Sequence, residues 1–323
     1  MWLFQCHWPL RQSMAFNGHS LTSREVAYAL VKTERQYHLA EIAPLPGFSQ
    51  ETLAQSVRAF YQACTGLVPS LPPSAAWAWD TLSQPPSLTT PAVDAALLHL
   101  PAGLSPAAMH QYIQQQAAQI HQSRSIKLKV ARHQPHYEAF ALAEILTMNP
   151  QLSIRCDANQ GWQEQQFIEF AQRLDPAHKA QIEYIEEPCS NLPEALAIAK
   201  QQGLVLALDE HLQAPSFKPF YHPQLGAFVI KPSLVGSHQR CKELIDFAHQ
   251  QGWQASLSSS FESPLGLAMI AAMAQRLTPD HSPGLDTAKY FEPNTKSDLP
   301  RNNDYQAWVK WIKHLPLIWH ATQ

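Results

Sequence analysis

Charge of one sign is not in excess in this chain, and that absence removes a class of partner. Its 23 lysines and arginines stand against 26 aspartates and glutamates, a formal charge of −3, so no basic field is available to hold nucleic acid. Cysteine is sparse. Cys6, Cys64, Cys156, Cys189 and Cys241 lie far apart, form no C-x-x-C pair and are odd in number, which argues against a disulfide framework and suits a reducing cytoplasm. Gln5, His7, Arg11 and Gln12 interrupt the apolar residues of the opening segment, so it does not read as a signal peptide. The apolar run Leu265 to Ala274 is too short to cross a bilayer, and no membrane role is expected. No H-E-x-x-H spacing occurs among the sixteen histidines, most of which read as solvated surface.

What is present is apolar side chain. Hydrophobic residues make up 45% and charged residues 15%, the balance of a folded globular protein with a large core. A length of 323 residues fits two domains, or one barrel with an added subdomain. Proline-rich stretches at Pro69–Pro73 and Pro85–Pro91 punctuate the first third, the second as a linker, which places a domain boundary near residue 90. Before it, Glu25 to Ile42 suggests hairpin strands. Ser49 can cap a helix whose residues Leu53, Val57, Phe60, Tyr61 and Cys64 share one face, with Gly66 as its stop.

Short apolar segments then alternate with longer helical stretches, the pattern of parallel strands joined by crossover helices. The expected strands are Ala96–Leu100, Ile126–Val130, Leu152–Asp157, Ile182–Glu186, Leu204–Asp209, Phe228–Lys231 and Ala255–Ser258. A charged residue closes several of them: Lys129, Asp157, Glu186, Asp209 and Lys231, at intervals of 22 to 29 residues. An open sheet that binds a dinucleotide carries G-x-G-x-x-G at its first turn, and none occurs here. A closed barrel gives the ionic strand ends a reason, because it gathers them around one opening.

The period of two in Ser125–Val130 puts Ile126, Leu128 and Val130 on one face, and Lys127 and Lys129 on the other, into the barrel. Two ammoniums crowded in a partly desolvated site lower each other's pKa, which can leave one neutral and basic near pH 7. Asp157, Glu186 and Asp209 would bring three carboxylates to one rim, where they repel unless compensated. Hard oxygen ligands with open positions suit Mg²⁺, though any one acid could instead serve in a structural ion pair. Lys231 ends an apolar strand and in barrel order faces Lys127 and Lys129 across the cavity. A metal flanked by amines is what removal of a proton α to a carboxylate requires, since the metal stabilises the enediolate that forms.

These residues also carry a family resemblance. Glu41–Thr52, Lys127-Leu128-Lys129, Arg155–Asn159, Ile185–Cys189, Leu208-Asp209-Glu210, Ile230–Ser237, Ser258–Ser263 and Pro283–Thr287 resemble the enolase superfamily, and within it the dehydratases of the menaquinone pathway. The resemblance implies an α/β fold, a modified TIM (β/α)7β-type barrel at 91–287. It also implies an α+β capping domain at 1–90, with residues 288–323 packing back on that cap. Metal ligation by Asp157, Glu186 and Asp209 follows from it, with Mg²⁺ as the ion and Mn²⁺ as an alternative. Lys129 would be the base and then the acid that helps hydroxide leave, and Lys231 would stay cationic and stabilise the enediolate. Lys127 and Arg155 would supply positive charge at the rim, and Asn159 and Glu210 would stand behind the ligands. Ser258, Ser259, Ser260 and Gly284 match stretches that contact the substrate.

The implied reaction is dehydration of a small cyclohexadiene carboxylate with aromatisation of its ring. The rivals are a racemase or epimerase of N-acylated amino acids or dipeptides, which also needs two opposed lysines, and a barrel that binds a carboxylated metabolite without turning it over. The tail Asn302–Ile312 reads as a packed helix through Tyr305, Trp308, Val309 and Ile312. Trp77, Trp79, Trp308 and Trp311 read as core or domain interface rather than as ligand platforms.

Overall fold

The computed structural model describes residues 1–16, 18–34, 36–67, 70–84, 87–88, 95–101, 103–292, 299–300 and 304–320. The first elements are β1 (Trp2–Phe16), β2 (His19–Lys32), β3 (Tyr37–Ile42), α1 (Leu53–Cys64) and α2 (Pro73–Ser83). Next come β4 (Ala95–His99), α3 (Pro106–Gln115), α4 (Ala117–Gln122), β5 (Ser125–Lys129), α5 (Pro135–Met148), β6 (Ser153–Asp157), α6 (Glu164–Gln172), α7 (Pro176–Ala180), β7 (Ile182–Glu186) and α8 (Leu192–Gln202). The remainder are β8 (Leu206–Leu208), β9 (Leu225–Ile230), α9 (Pro232–Val235), α10 (His238–Gln250), β10 (Gln254–Leu257), α11 (Pro264–Leu277), α12 (Tyr305–Ile312) and β11 (Leu317–His320). Proline opens many of the helices, among them α2, α3, α5, α7 and α11. At the first helical position its missing N–H costs nothing and its fixed φ is already helical.

By their internal contacts the residues fall into two compact units, 1–92 with 230–245 and 257–323, and 93–229 with 246–256. Residues 230–245 and 257–287, expected within the barrel part, group with the first unit. The expected boundary near residue 90, most of the Pro85–Pro91 linker, Pro69 and Asn302 lie outside the described residues.

In the first unit an antiparallel sheet runs β11-β1-β2-β3. The expected hairpin is the β2–β3 pair, with Ala29 opposite Ala40. The long β1 was not anticipated. Its pairing with β2 breaks between Pro9 and Met14, as expected where proline withholds a ladder donor. One sheet face packs with α1 and α2 through Leu3, Ala27, Ala29, Ala40, Ile42, Phe60, Ala75 and Ala78; alanines here let helix and sheet approach closely. On β1 and β2, Trp8 and Tyr28 meet Trp311 of α12 at ring separations of 5.9 and 6.2 Å, and Trp308, Val309 and Ile312 are buried. Helix α1 starts differently from expectation. Thr52 is its cap, in a reciprocal box with Gln55, while Ser49 Oγ accepts the Leu45 N–H at 2.8 Å.

All seven expected barrel strands form. They make one parallel sheet in chain order from β4 to β10, the strand order of a β/α barrel. Ser258, just past β10, makes a further parallel bridge to Gly284. Among the described residues no helix is long and apolar enough to cross a membrane.

Candidate active site

Register brings the charged strand ends level. Lys127 lies opposite Arg155, Lys129 opposite Asp157, and Asp157 opposite Glu186, so these side chains leave the sheet on one side. Asp157, Glu186 and Asp209 are fully buried. Lys127 Nζ donates to Glu186 Oε2 at 2.6 Å and Oε1 at 2.9 Å, and lies 2.8 Å from Asp157 Oδ2. Lys129 Nζ donates to the same Asp157 oxygen and to Asn159 Oδ1 at 2.7 Å. Asn159 Nδ2 in turn donates to Glu210 Oε1 at 2.9 Å. One end of the sheet thus couples two ammoniums to Asp157 and Glu186.

The expected depression of lysine pKa by its like-charged neighbour does not hold at Lys127. Burial works to lower it, but Asp157, Glu186, Tyr184 and Asp209 outweigh burial and hold the ammonium well above the ordinary lysine value. Negative neighbours, not the second lysine, dominate its field. Among the described residues no three His, Cys, Asp or Glu side chains are gathered closely enough to hold a metal, and Lys127 and Lys129 engage oxygens of Asp157 and Glu186. The donor chemistry nevertheless fits a hard divalent cation: three buried carboxylates from consecutive strand ends.

Arg155 sits a step back from the strand end. Its Nε donates to Glu183 Oε2 at 2.6 Å and its guanidinium lies over the Tyr184 ring. Burial opposes its charge, but Tyr184 and Glu183 hold it above the ordinary arginine value. Glu183 is the extra residue where the β6–β7 register shifts between Ile154 and Arg155, and it also accepts from Ser153 Oγ at 2.5 Å.

Carboxylates accept backbone N–H groups of the loops after these strands. Glu187 Oε1 accepts the N–H groups of Asp209 and His211 at 2.8 and 3.0 Å, and Oε2 pairs with His211 Nδ1 at 2.6 Å. That bond raises the His211 pKa against the opposing effect of burial. Glu138 likewise accepts the N–H groups of Ala131, Arg132 and His133. Ala131, Asn159, Gln160, Glu187 and Phe261 are the non-glycine residues with positive φ among the described residues, from 44° to 61°. Each follows a barrel strand within four residues. Such backbone costs about 1–3 kcal/mol per residue and persists where surrounding bonds impose it, typically at functional sites.

The remaining candidates lie in the first unit. Lys231 follows β9, and its Nζ stands 5.9 Å from the Phe48 ring centroid. Ser258 Oγ makes a long 3.3 Å contact with Gly284 O, and a Cβ on Gly284 would come within 2.6 Å of that hydroxyl. Ser259 and Ser260 turn their hydroxyls to Glu262. Sequence reading assigned no role to Glu183, Glu187 or Glu262. The available signal was an acid beside the second acid of Glu186-Glu187-Pro188, and an acid set among Ser258, Ser259, Ser260 and Ser263.

Comparison with known proteins places these features in one class. The family model for the enolase C-terminal domain-like fold matches residues 108–301, and that for the MenC N-terminal domain matches residues 1–77. The o-succinylbenzoate synthase of Pasteurella multocida is 34% identical over 98% of this chain and 94% of its own; that of Haemophilus influenzae is 32% identical over 92% and 94%. In fold the chain is similar to the crystal structure of o-succinylbenzoate synthase from Thermosynechococcus elongatus, complexed with Mg in the active site, with a TM-score of 0.73 at 23% identity over 97% of this chain and 99% of that one. The L-Ala-D/L-Glu epimerase of Bacillus subtilis superposes with a TM-score of 0.72 at 14% identity, over 90% of each chain. The class is therefore an enolase-superfamily barrel with an α+β cap. Within it, the chain belongs to the o-succinylbenzoate synthase family.

Proposed function

We propose that this chain removes water from 2-succinyl-6-hydroxy-2,4-cyclohexadiene-1-carboxylate to give 2-succinylbenzoate, a hydro-lyase step of menaquinone biosynthesis. The observation that carries the reading is the level row Lys129, Asp157, Glu186 on adjacent strand ends, in a chain 34% identical to a synthase over nearly its whole length. Asp157, Glu186 and Asp209 would hold the ion, Mg²⁺ with Mn²⁺ as an alternative. That ion supplies positive charge to the substrate carboxylate, which makes the adjacent C–H acidic.

The chain's own residues do the rest. Lys129, in its neutral form, accepts the α-proton at Nζ, and the C–H electron pair passes into an enediolate. Lys231, cationic, stabilises the charge that develops. The enediolate then collapses, the electron pair forms the ring double bond, and the C–O bond breaks. Protonated Lys129 returns its proton to the departing hydroxide, which leaves as water in a syn elimination. Aromatisation of the ring drives the step. Asn159 orients Lys129, and Glu210 orients Asn159. Lys127 offsets the charge of Glu186 and Asp157, and Arg155 adds positive charge behind them. The Ser258–Ser260 turn and Gly284 form the wall that meets the substrate.

Incubating the full chain with the authentic cyclohexadiene and Mg²⁺ tests the reading. New aromatic absorbance, abolished by EDTA, is the expected result. Exchange of the α-proton with deuterated solvent and inversion of an N-acylated amino acid, without aromatic product, would establish the epimerase alternative instead.

A further inference from the structure

Resting on the reaction proposed above, we infer that Glu262 is a positioning residue that fixes the Ser259–Ser260 turn and the turn following Lys231 as one unit. Its carboxylate is buried and accepts from both sides. Oε1 takes the Ser260 hydroxyl and the Ser233 hydroxyl, each at 2.6 Å; Oε2 takes the Ser259 hydroxyl at 2.8 Å and the Ser260 N–H at 2.7 Å. Ser233 stands two residues after Lys231, in the first turn of α9, where Leu234 and Val235 donate to the Lys231 carbonyl. A single carboxylate therefore ties the backbone that carries Lys231 to the backbone that carries the serine turn.

The protons assign the roles further. A serine hydroxyl has one hydrogen to donate; Ser259 and Ser260 both stand within donating distance of Glu262, and Ser260 Oγ also lies 2.6 Å from Ser233 Oγ, which closes the Ser233–Ser260–Glu262 triangle. Ser259 Oγ also accepts the Phe261 N–H at 2.9 Å and contacts Thr287 Oγ1 at 2.7 Å. These two side chains act as scaffold. The buried hydroxyl of Ser258 instead donates to Gly284 O at 3.3 Å. The turn's shape is imposed rather than intrinsic: Phe261 lies at φ 61°, and its carbonyl is held by Arg24 Nε at 3.2 Å.

Steady-state kinetics of Glu262→Ala, Glu262→Gln and Ser233→Ala in the full chain with Mg²⁺ test this. Displacing reacting groups by about 1 Å can cost about 100-fold, so Glu262→Ala should lose about 100-fold in kcat/KM through both constants. Glu262→Gln should recover part of that loss, to about tenfold below the parent, because its oxygen still accepts the Ser260 N–H while Ser233 and Ser260 turn to accept from its amide. Ser233→Ala unties only the Lys231 turn and should lower kcat about tenfold with KM unchanged. Mg²⁺ affinity by calorimetry should be unaltered in all three. Parent values of kcat and KM in both Glu262→Gln and Ser233→Ala would overturn the inference. So would a Glu262→Ala protein that melts earlier while its folded fraction keeps both constants. An inactive parent would remove the proposed reaction and this inference with it; an active parent with unaltered variants removes only the role of Glu262.

Discussion

At the ends of β5 to β7, buried carboxylates meet ammoniums; in the first unit, the buried Glu262 carboxylate takes its hydrogen bonds from three hydroxyls and an N–H. Both arrangements satisfy a buried charge, but they respond differently to a newcomer. Ion pairs can exchange partners, because an arriving cation or carboxylate competes directly for the same charge. Neutral donors around a carboxylate hold its orientation through directional hydrogen bonds. In the proposed reaction the first region changes its charge partners, and the second keeps atoms where they are.

The sharpest way to break this contrast is to remove Lys129. Lys129→Ala should lower kcat by about 10²–10⁴-fold, the usual contribution of a general base, in an assay of aromatic product. Near-parental turnover would exclude it as the base. Asp209→Asn comes next, and should raise the Mg²⁺ dissociation constant about tenfold or more with a parallel loss of activity; unchanged calorimetry would remove Asp209 from the ligand set.

Smaller effects sharpen the comparison on the orienting side. Glu41 is buried and accepts the Ser263 N–H at 2.9 Å and its hydroxyl; burial raises its pKa to about 7 from 4.5. A carboxyl whose folded pKa is raised contributes stability that is complete below about pH 4.5 and is lost as pH rises through about 7. Glu41→Gln should abolish that decline, worth about 3 kcal/mol across the window, and flatten melting temperature against pH between 5 and 8. An identical pH profile in parent and variant would contradict it. Thr52→Ala touches neither region. It should cost about 1 kcal/mol through the lost α1 cap, seen as a lower melting temperature with kcat and KM unchanged.

Much of the barrel was legible because five of its seven strands are short segments closed by an ion, at Lys129, Asp157, Glu186, Asp209 and Lys231, a pattern that reports strand and site together. The row Lys129, Asp157, Glu186 could be read from spacing alone. The state of Lys127 could not. Its neighbours in sequence include Lys129, but its neighbours in space are Asp157 and Glu186, brought by register from 30 and 59 residues away. The cap of α1 went to Thr52 rather than Ser49 because the box with Gln55 satisfies two backbone groups at once, whereas Ser49 closes the preceding turn. Strand β1 mixes His7, Arg11 and Gln12 into its apolar residues and carries Pro9, which masks its alternation. Glu187 and Glu262 were invisible as organisers because an acid's role depends on which N–H and O–H groups point at it, and those are set by left-handed loop residues that no period reveals.

The central claim is that Asp157, Glu186 and Asp209 jointly hold a divalent cation beside Lys129. A crystal structure of the full chain grown with Mg²⁺ tests it most directly. The account predicts one ion bound by all three carboxylates, with Lys127 and Lys129 no longer sharing the Asp157 oxygen. Carboxylates still paired with both lysines, and magnesium absent from the strand ends at saturating concentration, would contradict it.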